Sequence, residues 1–389
     1  MKRLNKIKLL AVGPYPPPYS GPESSMKLFL ESPIRDKCNI RFLNMNFRKD
    51  NSKRGRIDFR SFVKMGLLLF RFVMQLIVFR PNIVYYYVTA TIRGWLLKDI
   101  WIIGLSWFFR RKIVIHMRAG HFRKCMQTTA AWKRNIIVFF LRKVSTGIVQ
   151  ADCLKNQFRG LLPDEKIKAV YNMIDVARYQ RKTPYNDAGK RVFFMGHLTY
   201  AKGYSDLLLA LPEIAAAVPD VKLVCAGAII KGKERNVQYN LQNGQRLDFV
   251  DPEECFEQNI KGKLEDHYEY LGLLNEEEKI AQLETCRVFV LPSYSEGFSM
   301  AVLEALSMGV PVVVTPVGAL KEIVKNNENG IVVDCGNPHL LASAIIKLLL
   351  DQSLCKGIHH NNVQYVRDNF SQEIISSQLF QIFTDILAI

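Results

Sequence analysis

The sequence predicts an α/β fold with two domains. Short apolar segments that suit parallel strands alternate with segments whose apolar residues recur at helical spacing, the pattern of sheets covered by helices. The chain has 389 residues, 49% of them hydrophobic, which is enough for two cores. Residues 1–180 contain 34 Lys and Arg against 10 Asp and Glu, whereas residues 181–389 contain 19 against 26. Two halves of opposite charge support two domains.

The first half is predicted to contain strands that end in loops and one long amphipathic helix. Residues 6–13 form the first strand, and a loop rich in Gly and Pro follows it. Residues 60–80 carry apolar side chains at helical spacing and end before Pro81, where proline stops a helix. The apolar runs in this half fall short of the roughly 18 residues of a membrane span and predict buried or interfacial helices. Further strands are predicted at 82–89, 111–120, 147–151 and 167–175.

The second half repeats the α/β alternation after a polar segment, 176–190, that is predicted to link the domains. Residues 231–265 are predicted to be an irregular insertion. Gly309 is expected at the C-terminal cap of a helix. Strands are predicted at 191–196, 221–227, 267–272, 287–293 and 311–318, and helices at 204–217, 300–309, 338–350 and 371–389.

The segment SEGFSMAVLEAL (295–306) places two acids, Glu296 and Glu304, around a strand-to-helix connection. The helix starts near Ser299, and its first N–H groups and positive dipole end favour a phosphate. Gly297 lets a ligand approach the backbone. Carboxylates on either side of a phosphate can accept hydrogen bonds from two hydroxyl-rich rings. The segment therefore indicates a sugar-nucleotide site, with a surface glutamate and a helix cap as the alternative.

Two longer segments resemble family-4 glycosyltransferases of the GT-B fold. Residues 291–324 contain the Glu-x7-Glu motif from Glu296 to Glu304, followed by Gly-x-Pro-Val-Val. Residues 193–211 contain a strand, Gly196, five residues and Lys202-Gly203. A third segment, VYNMIDVARY, resembles the family's domain junction and contains Asn172 and Asp175.

The resemblance covers nearly the whole chain and implies two Rossmann-like domains that face each other across a cleft. Residues 1–175 would form the acceptor-side domain, with the last helix, 371–389, packed back on it. Residues 190–370 would bind the nucleotide-sugar donor. The implied reaction is transfer of a sugar to a glycan or lipid-linked acceptor with retention of anomeric configuration. The expected role is in cell-surface polysaccharide or glycolipid biosynthesis.

The resemblance also implies roles for single residues. Lys202 would hold the donor diphosphate, Glu304 would bind the ribose hydroxyls, and Glu296 would contact the transferred sugar. His116, in the segment HMRAGHF, would approach that sugar, and Arg118 and His121 are acceptor-side candidates. Glu322 falls near a donor-facing acid of the family. The implied donor-binding residues are Gly21, Gly196, His197, Lys202, Gly297, Phe298, Ser299, Met300 and Glu304.

Two positions depart from the family pattern. His197 stands where the family has an arginine next to the glycine, so diphosphate binding can be weaker or dependent on pH. Pro22 stands where a second glycine is usual in the loop after the first strand, and it has no N–H group. Gly21 is therefore either a donor contact or part of a rigid turn.

No metal or other cofactor is expected, because the sequence contains no Asp-x-Asp motif. UDP- or GDP-linked sugars are the expected donors. Scattered cysteines and the lack of a recognisable signal segment favour a cytoplasmic protein. The basic first half suits an anionic membrane surface on the inner face of the membrane, or else an ordinary basic helix packed in its domain. The basic residues of the amphipathic segment are Arg54, Arg56, Arg60, Lys64 and Arg71.

Two other functions are compatible with parts of the sequence. A sugar-nucleotide epimerase of the same fold would need no acceptor. A nucleic-acid-binding protein would explain the basic half but not the Glu-x7-Glu motif with Lys202. Because no helix-turn-helix, RNP-type or basic-aromatic run is present, no nucleic-acid partner is expected.

Overall fold

The computed structural model describes residues 6–17, 21–46, 59–185, 189–230 and 250–388. The chain divides into two compact units. The first contains residues 1–174 and 370–389, and the second contains residues 175–369. Each unit has its own parallel sheet.

The sheet of the first unit has six parallel strands in the order β2-β1-β3-β4-β5-β6. Ala11 on the first strand lies opposite Phe42 and Tyr85 on its two neighbours. The third strand, IVYYYV, is buried along its whole length, as expected for a central strand covered on both faces. The strands are β1 (Ile7–Gly13), β2 (Cys38–Asn44), β3 (Ile83–Val88), β4 (Lys112–Met117), β5 (Thr146–Val149) and β6 (Ile167–Ala169).

The helices of the first unit connect these strands. A π-helical turn, Trp95–Asp99, joins two of them. The chain-terminal helix supplies Ile375, Leu379 and Phe383 to the same core as β1 and β3. Within the described residues, none of the helices is both long and apolar enough to cross a membrane. The helices are α1 (Gly21–Glu31), α2 (Ile34–Lys37), α3 (Phe59–Val78), α4 (Ile92–Gly94), α5 (Ile100–Phe108), α6 (Phe122–Gln127), α7 (Ala131–Leu141), and, at the end of the chain, α15 (Gln372–Ala388).

The sheet of the second unit also has six parallel strands, in the order β12-β11-β10-β7-β8-β9. The strand order reverses between β7 and β10, which are neighbours although they are far apart in sequence. The buried residues of β7 and β10 are all Val, Phe or Leu, typical of parallel strands with both faces covered. The strands are β7 (Arg191–Met195), β8 (Lys222–Ala226), β9 (Tyr268–Tyr270), β10 (Val288–Leu291), β11 (Val312–Val314) and β12 (Gly330–Val332).

The helices of the second unit begin at clear capping residues. Asp251 accepts from the N–H groups of Glu253 and Glu254, and Asn275 forms a capping box with Glu278. The helices are α8 (Tyr204–Ala217), α9 (Pro252–Asn259), α10 (Glu276–Thr285), α11 (Met300–Ser307), α12 (Leu320–Ile323), α13 (Pro338–Leu350) and α14 (Gln352–Phe370).

Most predicted elements are confirmed to within a few residues. The helix from Tyr204 to Ala217 is confirmed at both ends, and Gly309 follows α11 with φ +71°, the left-handed conformation of a C-terminal cap. The elements that were not predicted include β2, α1, α2, α6, α7, α9, α10 and α14.

Several expectations were wrong. The strand predicted at 167–175 ends at Ala169. Residues 252–259 of the supposed irregular insertion form a helix, and residues 231–249 lie outside the described residues. Gly21, expected in a loop, is the first residue of α1.

Two aromatic residues of the predicted polar linker are packed against the second unit, although most residues of 176–185 are exposed. Tyr179 and Tyr185 are buried, and the Tyr185 hydroxyl donates to the carbonyl of Arg287. These two aromatic side chains anchor residues 176–185 to the second unit, and one of them reaches the candidate site.

Candidate active site

The candidate site of the second unit lies where its strand order reverses. In open parallel sheets this switch point leaves a crevice at the carboxyl ends of the two central strands. The connection after β7 contains Gly196, His197 and Lys202, and the connection after β10 contains Glu296 and Ser299. Because β7 and β10 are adjacent, both connections leave the sheet at the same edge.

Lys202 and Glu296 form an ion pair between these two connections. The Lys202 Nζ atom lies 2.5 Å from Glu296 Oε1, and Ser293 Oγ donates to the same oxygen at 2.8 Å. The Glu296 side chain is 8% exposed and that of Lys202 28%. A partly exposed ammonium held by a nearly buried carboxylate is positioned to meet an anionic ligand that enters the crevice.

Glycines fix the backbone on both sides of this ion pair. Gly203 has φ +70°, and a Cβ there would lie 2.0 Å from the carbonyl oxygen of Pro292. Gly318 has φ +53°, and its Cβ would lie 2.2 Å from the carbonyl oxygen of Glu296. Both positions therefore need glycine. Gly203 lets the connections after β7 and β10 pack closely, and Gly318 does the same for the connections after β10 and β11.

The connection after β10 leads into α11 through a side-chain cap. Ser299 Oγ accepts from the N–H of Val302 at 3.4 Å. Phe298 is buried, and Met300, the first residue of the helix, is half-buried. The first N–H groups of this helix and its dipole make its start suitable for a phosphate.

Glu304 lies one turn into α11 and is 7% exposed. Burial raises the pKa of its carboxyl group above the ordinary value, and the Lys279 ammonium, 3.3 Å from Oε1, opposes that shift. Lys279 also lies 3.2 Å from Glu276, whose carboxylate accepts from the Tyr179 hydroxyl. Glu304 is thus a nearly buried acid with one cation beside it.

Lys279 and Tyr179 were not among the predicted site residues. Lys279 follows Glu276, Glu277 and Glu278, and such a run of charges usually forms a solvated helix face. Tyr179 lies in the segment predicted as a linker. One sequence feature indicates that Lys279 is paired: its i,i+3 spacing from Glu276 places both side chains on one face of a helix.

Tyr294 and Asp206 form a second missed pair. The Tyr294 hydroxyl donates to Asp206 Oδ2 at 2.6 Å, and burial raises the pKa of Asp206 to about 6. The backbone N–H of Tyr294 also donates to the carbonyl of Ala201, next to Lys202. These contacts hold the connections after β7 and β10 together beneath the Lys202–Glu296 pair.

The other residues predicted for the donor site lie on the same connections. Gly196 donates its N–H to the carbonyl of Ala226, and a Cβ there would make only ordinary contacts. His197 is exposed. Gly297 is half-buried, and its carbonyl accepts from Ala319. Glu322 is half-buried in the short helix α12.

Histidine and arginine side chains meet in the first unit. His116, on β4, is 2% exposed, and its Nδ1 lies 2.7 Å from the Tyr85 hydroxyl. Its Nε2 lies 3.4 Å from Arg118 Nη1, and Arg118 also donates to Ser25 on α1. Burial, reinforced by the Arg118 charge, holds the pKa of His116 well below its usual value. The imidazole is therefore neutral at physiological pH.

The remaining predicted residues of the first unit and the junction are spread out. His121 is exposed at the start of α6, and Gly21 opens α1, where a Cβ would meet no other atom. Asn172 accepts from Gln150 in a buried contact, and Asp175 accepts from the N–H groups of residues 177 and 178. Among the described residues, no group of three His, Cys, Asp or Glu side chains could hold a metal ion.

Comparison with known proteins relates the second unit to a known family. Residues 175–364, just under half of the chain, match the model of the glycosyl transferases group 1. The chain as a whole has the GT-B fold of α/β glycosyltransferases, with two six-stranded parallel sheets.

The curated relatives are distant in sequence. A glycosyltransferase of Methanocaldococcus jannaschii is 28% identical over 233 residues, 57% of this chain and 54% of that protein. The D-inositol 3-phosphate glycosyltransferase of Corynebacterium efficiens is 26% identical over 319 residues, 75% of this chain and 68% of its own. The chain spans about half the length of the first curated relatives it matches.

Solved structures resemble the chain over nearly its whole length. The crystal structure of HepE from Anabaena in complex with UDP has a TM-score of 0.71, 18% identity, and covers 97% of this chain and 100% of its own. HepE is also known in complex with UDP-glucose. At this identity the likeness shows the fold.

Proposed function

We propose that the protein transfers a sugar from a nucleoside diphosphate to a glycan or lipid-linked acceptor, with retention of anomeric configuration and without a metal ion. The observation that carries the proposal is the Lys202–Glu296 ion pair beside the capped start of α11 at the switch point of the second sheet. A nucleotide sugar has a diphosphate flanked by two hydroxyl-rich rings. This site offers an ammonium and backbone N–H groups for the diphosphate, flanked by two carboxylates for the rings.

The donor diphosphate is bound by Lys202 and by the first N–H groups of α11. The bond from the anomeric carbon to the diphosphate oxygen breaks, and its electron pair leaves with the diphosphate. The ammonium and the helix dipole stabilise the charge that develops there. This cation and this helix start can supply the charge stabilisation that a metal ion gives in other enzymes, which supports a reaction without one.

Glu304 binds the ribose hydroxyls and Glu296 binds a hydroxyl of the transferred sugar. An ionised carboxylate accepts hydrogen bonds at both of its oxygens, and each of these two has a lysine beside it, Lys279 and Lys202 respectively. The acceptor hydroxyl attacks the anomeric carbon from the side of the leaving group, and its proton passes to the departing phosphate oxygen. In the first unit, Arg118 and His121 are proposed to bind the acceptor, and the neutral His116 is proposed to approach the sugar.

Nucleotide binding is the first test. UDP, GDP, ADP and CMP are each titrated into the protein by calorimetry, and into the Glu304→Gln variant. We expect one diphosphate to bind, with UDP tested first because HepE is known with UDP, and we expect the variant to bind it more weakly. If none of the nucleotides binds the wild-type protein, the proposal is wrong.

Retention and the lack of a metal are tested on the product. The sugars linked to the chosen nucleotide are supplied with acceptor extracts, and the anomeric configuration of the product is read by NMR. We expect the configuration of the donor to be kept, and EDTA to leave the rate unchanged. An inverted product would contradict retention, and loss of activity in EDTA would contradict the metal-free reaction.

A further inference from the structure

The first unit has an exposed aromatic face formed by α3, α5 and α7, named here the helix face. These helices connect β2 to β3, β3 to β4, and β4 to β5, so right-handed crossovers place all three on one side of the sheet. α5 packs against both of the others. At Gly104 of α5 a Cβ would lie 2.9 Å from the Phe140 ring of α7, so the absence of a side chain there allows close packing.

The outer side of the helix face is apolar. Six aromatic side chains are solvent-exposed, and their exposed fractions range from 50% for Trp107 to 75% for Phe108. Aliphatic residues of α3, such as Leu67 and Val78, extend the same surface. Soluble domains rarely leave so many large apolar side chains in one patch, which therefore marks an interaction surface. The six aromatic residues are Phe70, Trp101, Trp107, Phe108, Trp132 and Phe139.

The aromatic side chains of neighbouring helices form one surface. The Lys143 ammonium lies 4.5 Å from the ring centre of Trp107 on α5 and 4.9 Å from that of Phe139 on α7. Lys133 lies 5.3 Å from the ring centre of Trp132. Cations are thus interleaved with exposed rings, an arrangement in which the charged heads and the aromatic bodies can both meet an interface between water and lipid.

The charge of this region has one sign. Residues 59–145 contain sixteen Lys and Arg and one acid, Asp99. Asp99 is fully buried and accepts from Tyr86 and Thr89, so it does not offset the surface charge. A second copy of this face would bring like charges together, which opposes self-association. A complementary partner therefore has an anionic surface that covers an apolar interior.

We propose that the helix face binds the surface of an anionic phospholipid bilayer. The aromatic and aliphatic side chains enter the headgroup region, and the flanking cations contact the lipid phosphates. α3, α5 and α7 end at the amino edge of the sheet, whereas ligands of such sheets bind at the carboxyl edge. Docking through the helix face therefore leaves the carboxyl edge of the first unit open.

A groove near the start of α7, at the end of the helix face away from the amino edge of the sheet, suits a lipid chain that leaves the bilayer. It has a volume of about 610 Å³ and lies among α4, the π-helical turn and the start of α7. Its walls combine Ile92, Leu96 and Leu97 with the cations Arg93 and Lys133. Such a mixture is compatible with an amphiphile that carries a phosphate.

Tryptophan fluorescence provides a direct test on the full chain. Three of the four tryptophans, Trp101, Trp107 and Trp132, lie on the helix face, and the fourth, Trp95, is fully buried. Vesicles of phosphatidylcholine with one-third phosphatidylglycerol should shift the emission to shorter wavelength at low salt. Vesicles of phosphatidylcholine alone should shift it much less. No shift and no co-sedimentation with the anionic vesicles would overturn the proposal.

Matched variants distinguish vesicle binding through the helix face from nonspecific binding by any exposed apolar side chain. Trp107→Ser with Phe108→Ser should weaken co-sedimentation with the anionic vesicles by about tenfold or more. Leu350→Ser with Leu273→Ser is the control, because these second-unit side chains are 58% and 76% exposed. An equal loss in both pairs would contradict a dedicated face.

The charge contribution has its own pair of variants. Arg71→Glu with Arg134→Glu, on α3 and α7, should weaken vesicle binding by about tenfold or more. Lys321→Glu with Lys356→Glu, exposed in the second unit, should change it little. If Trp107→Ser with Phe108→Ser instead abolishes a dimer seen by light scattering, the face is an interface between copies and the proposal is wrong. Because vesicle binding is measured without nucleotide, this result does not depend on the proposed function.

Discussion

The Lys202 ammonium lies 2.5 Å from Oε1 of Glu296, although 94 residues separate the two in sequence. They meet because β7 and β10 are adjacent and each connection leaves the sheet at its carboxyl edge. The pairing holds a lysine, an otherwise flexible side chain, at the position where an anion would enter. The cation therefore meets its ligand with less loss of side-chain freedom.

Lys202→Met is expected to weaken nucleoside diphosphate binding by about 10- to 100-fold, since a hydrogen bond to a charged group contributes about 1.5–3 kcal/mol. The measurement is the dissociation constant by calorimetry. Lys325→Met is the control, because Lys325 forms an exposed ion pair with Glu328 in the same unit. If the two variants bind equally well, Lys202 does not hold the diphosphate.

Gly203→Ala is expected to destabilise the second unit by about 1–3 kcal/mol, because φ is +70° and the new Cβ would collide with the Pro292 carbonyl. Differential scanning calorimetry measures the loss. Gly357→Ala is the control: it lies within α14, and its Cβ would meet no atom within 4 Å. That change should instead stabilise the helix by about 0.5–1 kcal/mol. Equal melting temperatures for the two variants would contradict the packing argument.

The sequence predicts the part of the site that is local in the chain. Gly196, Lys202, Glu296 and Ser299 each follow a strand within a few residues, so the alternation of strands and helices places them at one edge. The contacts of Glu304 could not be predicted in this way. Lys279 and Tyr179 reach it from α10 and from a segment that appeared to be a linker, and only packing brings them together.

Missed elements have a similar physical origin. α9 is short and mostly polar, so it lacks the apolar spacing that predicts a helix. Asp251-Pro252 followed by two glutamates is nevertheless a good helix start. The exposed aromatic surface of α5 and α7 was not predicted, because a sequence does not tell which side of a helix is covered. In contrast, β3 and β10 were predicted well because both are short, wholly apolar runs between breaks.

Lys279→Met is expected to move the pH dependence of nucleotide binding upward. Burial raises the pKa of Glu304, and Lys279 opposes the rise, so removing Lys279 raises the pKa further. Glu304 can accept from both ribose hydroxyls only when it is ionised, because protonation turns one carboxyl oxygen into a donor. Affinity should therefore fall as the pH drops through the pKa of Glu304, and this fall should begin at higher pH in the variant. The dissociation constant of the bound diphosphate is measured from pH 5 to pH 8 in both proteins, so that titration of the ligand cancels.

The control for that series is Lys261→Met. Lys261 pairs with Glu257 on the exposed side of α9 and should leave the curve unchanged. If Lys279→Met gives the same curve as the wild type, Glu304 does not bind the nucleotide in its ionised form.

His116 should make the stability of the first unit depend on pH. In the unfolded chain its pKa is near the usual value of about 6.5, whereas burial and Arg118 lower it in the folded protein. Below pH 6.5 the unfolded state therefore binds more protons, and stability falls as the pH falls, by up to about 1.4 kcal/mol per pH unit, until the folded pKa is reached. His116→Asn keeps an acceptor near the Tyr85 hydroxyl and should remove this part of the slope.

Urea unfolding followed by tryptophan fluorescence measures the effect, since all four tryptophans lie between residues 95 and 132 in the first unit. The wild type and His116→Asn are compared at pH 5, 6 and 7. His339→Asn is the control, because His339 is exposed in the second unit beside Glu213. A wild-type slope that His116→Asn leaves intact would mean that the histidine becomes protonated in the folded state. His116 would then not be the neutral imidazole that is proposed to approach the sugar.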